Sequence, residues 1–96
     1  MTPPFGVTVT AHFKRMCGKL VKRHSDFVSA CNRAVTMLEL DPYNVARGYP
    51  IRKLENVRPG EGRYRLRLGR WRFRYDIVGQ EVVLQYCGLR REETYD

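Results

Sequence analysis

Ninety-six residues with 43% hydrophobic content are enough for one small folded domain with a modest core, and they exclude both a disordered chain and two separate cores. A formal net charge of +8 and a pI near 9.9 call for an acidic partner, which on charge alone is a nucleic acid, an anionic membrane or an acidic protein. No apolar run reaches the length of a membrane span and the N-terminal MTPPFGV lacks a signal-peptide core, so the protein is expected in the cytoplasm with no membrane partner.

In chain order, Pro3 and Pro4 precede Gly6 to Thr10, a β-branched alternating run that predicts a short strand. From Ala11 the period becomes helical. Phe13, Met16, Cys17, Leu20 and Val21 form one apolar stripe, with Lys14, Arg15, Lys19, Lys22 and Arg23 off it and Gly18 as the weak point in helix propensity. His24-Ser25-Asp26 interrupts the pattern, and Ser25 or Asp26 can cap a second helix. That helix carries Phe27, Val28, Cys31, Ala34, Val35 and Leu38 on one stripe and ends before Asp41-Pro42. Two amphipathic helices with so short a joint make an antiparallel helical hairpin.

Asp41 to Glu61 reads as a connector rich in Pro, Gly and Tyr, interrupted by Ile51-Arg52-Lys53-Leu54, where Leu54 is expected to plug into the core. A turn at Pro59-Gly60 leads into Gly62 to Tyr75, GRYRLRLGRWRFRY, which holds six arginines and no acid. Successive side chains of a strand point to opposite faces, so Arg63, Arg65 and Arg67 share one face and Tyr64, Leu66 and Leu68 the other. Arg72 and Arg74 likewise stand opposite Trp71, Phe73 and Tyr75, with Gly69-Arg70 as the turn of a β-hairpin. The helical stripes are expected to cover the Tyr64, Leu66, Trp71 and Phe73 face, which leaves a sheet of guanidinium groups open to solvent. After a turn at Val78-Gly79-Gln80, Glu81 to Cys87 is near-continuously apolar and predicts an interior strand; the tail from Gly88 is mostly polar.

The predicted fold class is therefore α+β: a single domain over 1–96, with an N-terminal strand and a helical hairpin packed on a mainly antiparallel sheet of about four strands. Cys17, Cys31 and Cys87 are odd in number, too widely spaced for a zinc motif and set in apolar patterns, so they read as small buried hydrophobes in a reducing compartment. His12 and His24 lie far along the chain from the arginines and read as partly exposed structural residues. No metal-ligand spacing, phosphate-cradling glycine loop or Ser-His-Asp pattern is present, and no cofactor or metal is expected.

The arginines admit a bland reading as solvated edge charges that discourage aggregation. Arginine at every position argues instead for phosphate, because its rigid fork matches phosphate oxygens and stacks on bases. Guanidiniums that align a scissile phosphate and neutralise charge in the transition state could promote attack by a ribose 2′-hydroxyl.

The order of elements resembles the RelE/ParE superfamily of bacterial toxins from type II toxin-antitoxin pairs. The likeness is carried by Lys53-Leu54, by Tyr64-Arg65-Leu66-Arg67-Leu68-Gly69 with Trp71-Arg72-Phe73-Arg74-Tyr75-Asp76, and by Gly88-Leu89-Arg90 followed by Tyr95. The nearer branch looks like RelE, an endonuclease that cuts mRNA in the ribosomal decoding site. By position the resemblance implies phosphate alignment and activation of the nucleophile by Arg65 and Arg67, transition-state stabilisation by Arg72, a place for Arg90 facing the leaving oxygen, and base stacking by Tyr95. Lys53, Arg63, Arg74 and Arg91 would add RNA and phosphate contacts. Arginine stands at 65 and 67 where RelE-type enzymes commonly place lysine, and a guanidinium is a poor general base. The resemblance also implies a cognate antitoxin that wraps the toxin in a hetero-oligomer, and mRNA on the ribosome as substrate. A ParE-like gyrase poison and a non-catalytic RNA- or ribosome-binding module are the alternatives.

Overall fold

The computed structural model describes residues 3–89. Its elements are β1 (Gly6–Val9), α1 (Ala11–Arg23), α2 (Phe27–Leu40), β2 (Ile51–Lys53), β3 (Tyr64–Leu68), β4 (Trp71–Val78) and β5 (Glu81–Leu89). Both helices form where the apolar stripes place them. Thr10 caps α1, its hydroxyl accepting from the Phe13 amide at 3.0 Å, which satisfies one of the amides left open at a helix start. Asp26 occupies the N-cap of α2 but makes no side-chain capping bond, because its carboxylate is engaged by the β3–β4 turn instead.

The strands form one sheet in the order β1-β5-β4-β3-β2. β1 runs parallel to β5, and the remaining neighbours are antiparallel. β5 is interior, as its apolar run predicts. The sheet has five strands rather than about four, since Ile51–Lys53 pairs with β3 and becomes an edge strand; three residues are too few to show a period in the sequence. That pairing also corrects the place of Leu54. Ile51 stands opposite Leu66 and packs against the core, whereas Leu54 lies just past the end of β2, half-buried and not among the residues packed against the core.

The helices cover one face of the sheet. Phe13, Phe27, Ala30, Ala34 and Leu38 meet Leu66, Leu68, Trp71, Phe73, Tyr75, Ile77, Val82, Leu84 and Cys87 in one core. Aromatic edges run through it, with Phe27 against Trp71 at 5.0 Å and 70°. Both tight turns of the meander, Gly69-Arg70 and Gly79-Gln80, place glycine at φ 60 in the first turn position, where a two-residue hairpin needs a left-handed residue. The core thus fixes β3, β4 and β5 from one side, and their opposite face carries the arginines.

Candidate nucleic-acid interface

Register determines which guanidiniums become neighbours. Arg65 lies directly opposite Arg74, and Arg67 directly opposite Arg72. Arg52 on β2 opposes Arg65 from the other side, Tyr86 on β5 opposes Arg74, and Gly88 opposes Arg72. Directly opposed residues have Cβ atoms only about 5 Å apart, so these like charges repel within the sheet. The face is not the open layer that alternation alone suggests. Arg65 is 5% exposed and Arg72 3%, whereas Arg67 and Arg74 are half-buried. β3 and β4 are interior strands, so Arg65 stands between Arg52 and Arg74, and Arg74 between Arg65 and Tyr86.

Two features of β5 shape this surface. A register shift between Arg74 and Tyr75 takes up the extra residue Gln85, so Gln85 and Tyr86 both reach the arginine face. Gly88 then leaves room for the Tyr86 ring: a Cβ at Gly88 would stand 2.6 Å from the tyrosine hydroxyl. The hydroxyl therefore lies over the position opposite Arg72.

Asp76 continues the Arg72-Arg74 alternation on the same face and is 4% exposed. Its carboxylate accepts from the amides of Gly60 (3.0 Å), Gly62 (2.9 Å) and Arg63 (3.0 Å) and from Gln85 Nε2 (3.2 Å), with Arg63 Nε at 3.6 Å. The Pro59-Gly60 turn is folded onto the arginine strands by this one side chain. Arg74 closes the other side, its Nε donating to the Gly62 carbonyl at 3.1 Å, and a Cβ on Gly62 would collide with Arg74 Cβ at 2.7 Å. Beside Arg74 the loop leaves a cleft of about 490 Å³ lined by Glu55, Asn56, Val57 and Glu61.

Of the residues expected here, Arg63, Arg65, Arg67, Arg72 and Arg74 are brought together. Lys53 is not. It pairs with Tyr64, and its Nζ stands 5.9 Å from that ring's centroid on the side of the core, so Arg52 takes the place on the arginine face that Lys53 was expected to hold. Arg90, Arg91 and Tyr95 lie outside the described residues. Sequence reasoning missed Asp76 as the pin and Tyr86 as a neighbour of Arg74. The signal for Asp76 was a lone acid in phase with Arg72 and Arg74, but the bulge hides Tyr86 from any period-two count.

At the hairpin tip, Asp26 accepts from Arg70 Nη2 (2.7 Å), Arg70 Nε (3.1 Å) and Trp71 Nε1 (2.9 Å). The Arg70 guanidinium, then the Trp71 indole, hold the Asp26 carboxyl well below the usual carboxylate range. The interhelix joint is thereby bolted to the turn that sets the arginine register. His24 stays at this joint, edge-on to Trp71 at 5.2 Å. Deeper in, burial and then the neighbouring Tyr64 push the Tyr75 phenol far above its ordinary value, and it donates to the Pro42 carbonyl at 2.6 Å. Cys17, Cys31 and Cys87 are free thiols within or against the core. Among the described residues, no group of three His, Cys, Asp or Glu side chains is placed to hold a metal ion, and no helix is long and apolar enough to cross a membrane.

Comparison with known proteins returned no match, whether to family models, curated proteins or solved structures.

Proposed function

We propose that this chain is the toxin of a type II toxin-antitoxin pair with a RelE-like fold, and that it cuts mRNA in the decoding site of the ribosome. The observation that carries this reading is the pair of directly opposed arginine couples, Arg65 with Arg74 and Arg67 with Arg72, on the sheet face that the core does not use. Packing like charges at this spacing works against folding, and a bound phosphodiester relieves it.

In the proposed reaction the ribose 2′-oxygen gives up its proton to water and attacks the adjacent phosphorus, and the bond to the 5′-oxygen breaks as that oxygen takes a proton from water, leaving a 2′,3′-cyclic phosphate and a 5′-hydroxyl. Arg65 and Arg67 hold the phosphate so that attacking and leaving oxygens are in line. Arg72 meets the charge that grows on the non-bridging oxygens, a kind of contact worth on the order of 3 kcal/mol for a well-placed donor. By the resemblance Arg90 serves the leaving oxygen and Tyr95 stacks on a base. An acidic antitoxin segment that folds on binding would neutralise the same face.

The test is to add purified protein to ribosomes programmed with a defined mRNA and to map new 5′ ends by primer extension, beside an mRNA-only control. Cuts at the decoding-site codon that require the ribosome and are lost with Arg72→Ala support the proposal, provided circular dichroism shows that variant folded. Cuts in free mRNA retain the nuclease and remove the ribosome dependence. Growth arrest without any cut overturns the nuclease and directs attention to gyrase.

A further inference from the structure

The second concentration of positive charge lies on α1. Lys14, Arg15, Lys19, Lys22 and Arg23 are all exposed, and the helix contains no acid. At about 100° per residue these five fall within roughly half of the helix circumference, while Phe13, Met16, Cys17 and Leu20 take the other half and pack on the core. The cations therefore point away from the sheet, and the arginine face looks out from its far side.

Gly18 sits within this basic half, toward its Lys14 edge, flanked along the surface by Lys14 and Lys22. It is exposed, and a Cβ built there meets nothing within 4 Å, so neither packing nor a turn within the chain calls for glycine. A glycine inside an exposed helix weakens that helix. What glycine provides at such a place is a shallow notch, where another molecule's backbone can come closer than a side chain would permit.

We propose that the outer face of α1 is a docking surface for double-helical RNA, whose phosphate backbone seats at the Gly18 notch between the five cations. The chemistry is that of backbone recognition. Besides His12, α1 presents only Lys and Arg as polar groups on this half, and duplex RNA, whose deep, narrow major groove closes its base edges to side chains, is bound mainly by its shape and phosphates. The choice of RNA over DNA rests on the reading of the sheet face as acting on RNA. One surface would hold a folded RNA while the other meets the strand to be cut.

The full chain is titrated with a fluorescent 16-base-pair RNA duplex over a series of salt concentrations, alongside the same duplex in DNA and poly-glutamate as a protein-like polyanion. Gly18→Ala is expected to raise the melting temperature by about 2 to 6 °C yet weaken duplex RNA binding several-fold, two effects of opposite sign that a purely structural glycine could not give. Replacing Lys14, Lys19 and Lys22 together by Gln is expected to make the log-log salt slope shallower by about 2 to 3, since each lost phosphate contact removes about 0.9. Unchanged or tighter RNA binding by Gly18→Ala, or an unchanged slope in the triple variant, overturns the proposal. Equal affinity for duplex DNA or poly-glutamate overturns the assignment to RNA. Ribosomal cleavage is assayed in parallel with wild-type protein: cutting that persists beside a failed duplex result defeats this surface alone, and failure to cut defeats the sheet-face reading without touching the measured slope.

Discussion

The two basic surfaces of this molecule carry the same charge in opposite circumstances. On α1 the cations stand in water, spread over a helix face. On the sheet, Arg65 and Arg72 are 5% and 3% exposed and stand directly opposite further arginines. Solvated charges spread over a helix cost folding little, whereas desolvated and crowded ones work against it. The sheet arginines are the ones that the surrounding structure is arranged to hold in place: the core from one side, Asp76 from the end, and the Asp26–Arg70 pair at the hairpin tip.

The hardest way to break this arrangement is from the core side. Trp71→Ala removes a buried indole together with its bond to Asp26, and should cost about 3 to 5 kcal/mol in chemical denaturation. If the variant is as stable as wild type, the face opposite the arginines is not what fixes their register. Next comes Asp76→Ala, which strips three backbone amides of their acceptor and should cost about 3 kcal/mol or more, with fast amide exchange at Gly60, Gly62 and Arg63. Lys22→Ala on α1 should change stability by less than about 0.5 kcal/mol, which sets the scale for a charge on which folding does not depend.

A double-mutant cycle sharpens the contrast. For Arg67→Gln and Arg72→Gln the coupling should be about 0.5 to 1 kcal/mol with the sign of repulsion, so that the second substitution relieves less than it does alone. For Lys14→Gln and Lys22→Gln, two turns apart on α1, the two effects should add to within about 0.3 kcal/mol. Equal couplings in the two cycles would mean that the sheet arginines are as well separated as the helical ones.

Alternation and helical stripes are local, and so they were legible: the hairpin, both helices and the arginine face follow from residues two to four apart. The rest depends on contacts that no period reports. β2 is three residues long and shows itself only when β3 lies beside it. The side Lys53 takes follows from that same pairing. Alternation tells which face Arg72 points to but not how crowded the face is, so burial was invisible. Asp76 reaches amides 13 to 16 residues back, and Tyr86 joins the site through a bulge that breaks the very count used to find its neighbours.

At the hairpin tip, pH separates pairing from packing. Asp26 is exposed and its carboxyl is depressed by Arg70 and then Trp71. A depressed carboxylate lends its stability fully above the unfolded-state value, about 3.9, and loses it as the pH falls toward the lower folded value, because there the unfolded chain binds the extra proton. The melting temperatures of wild type and Asp26→Asn should therefore differ by a constant amount from about pH 7 down to pH 5 and converge below about pH 4, with the gap narrowing as salt is added. A gap that stays constant into acid would show that Asp26 acts through hydrogen bonds to Arg70 and Trp71 that survive its protonation, and that the carboxylate charge contributes nothing to holding the hairpin.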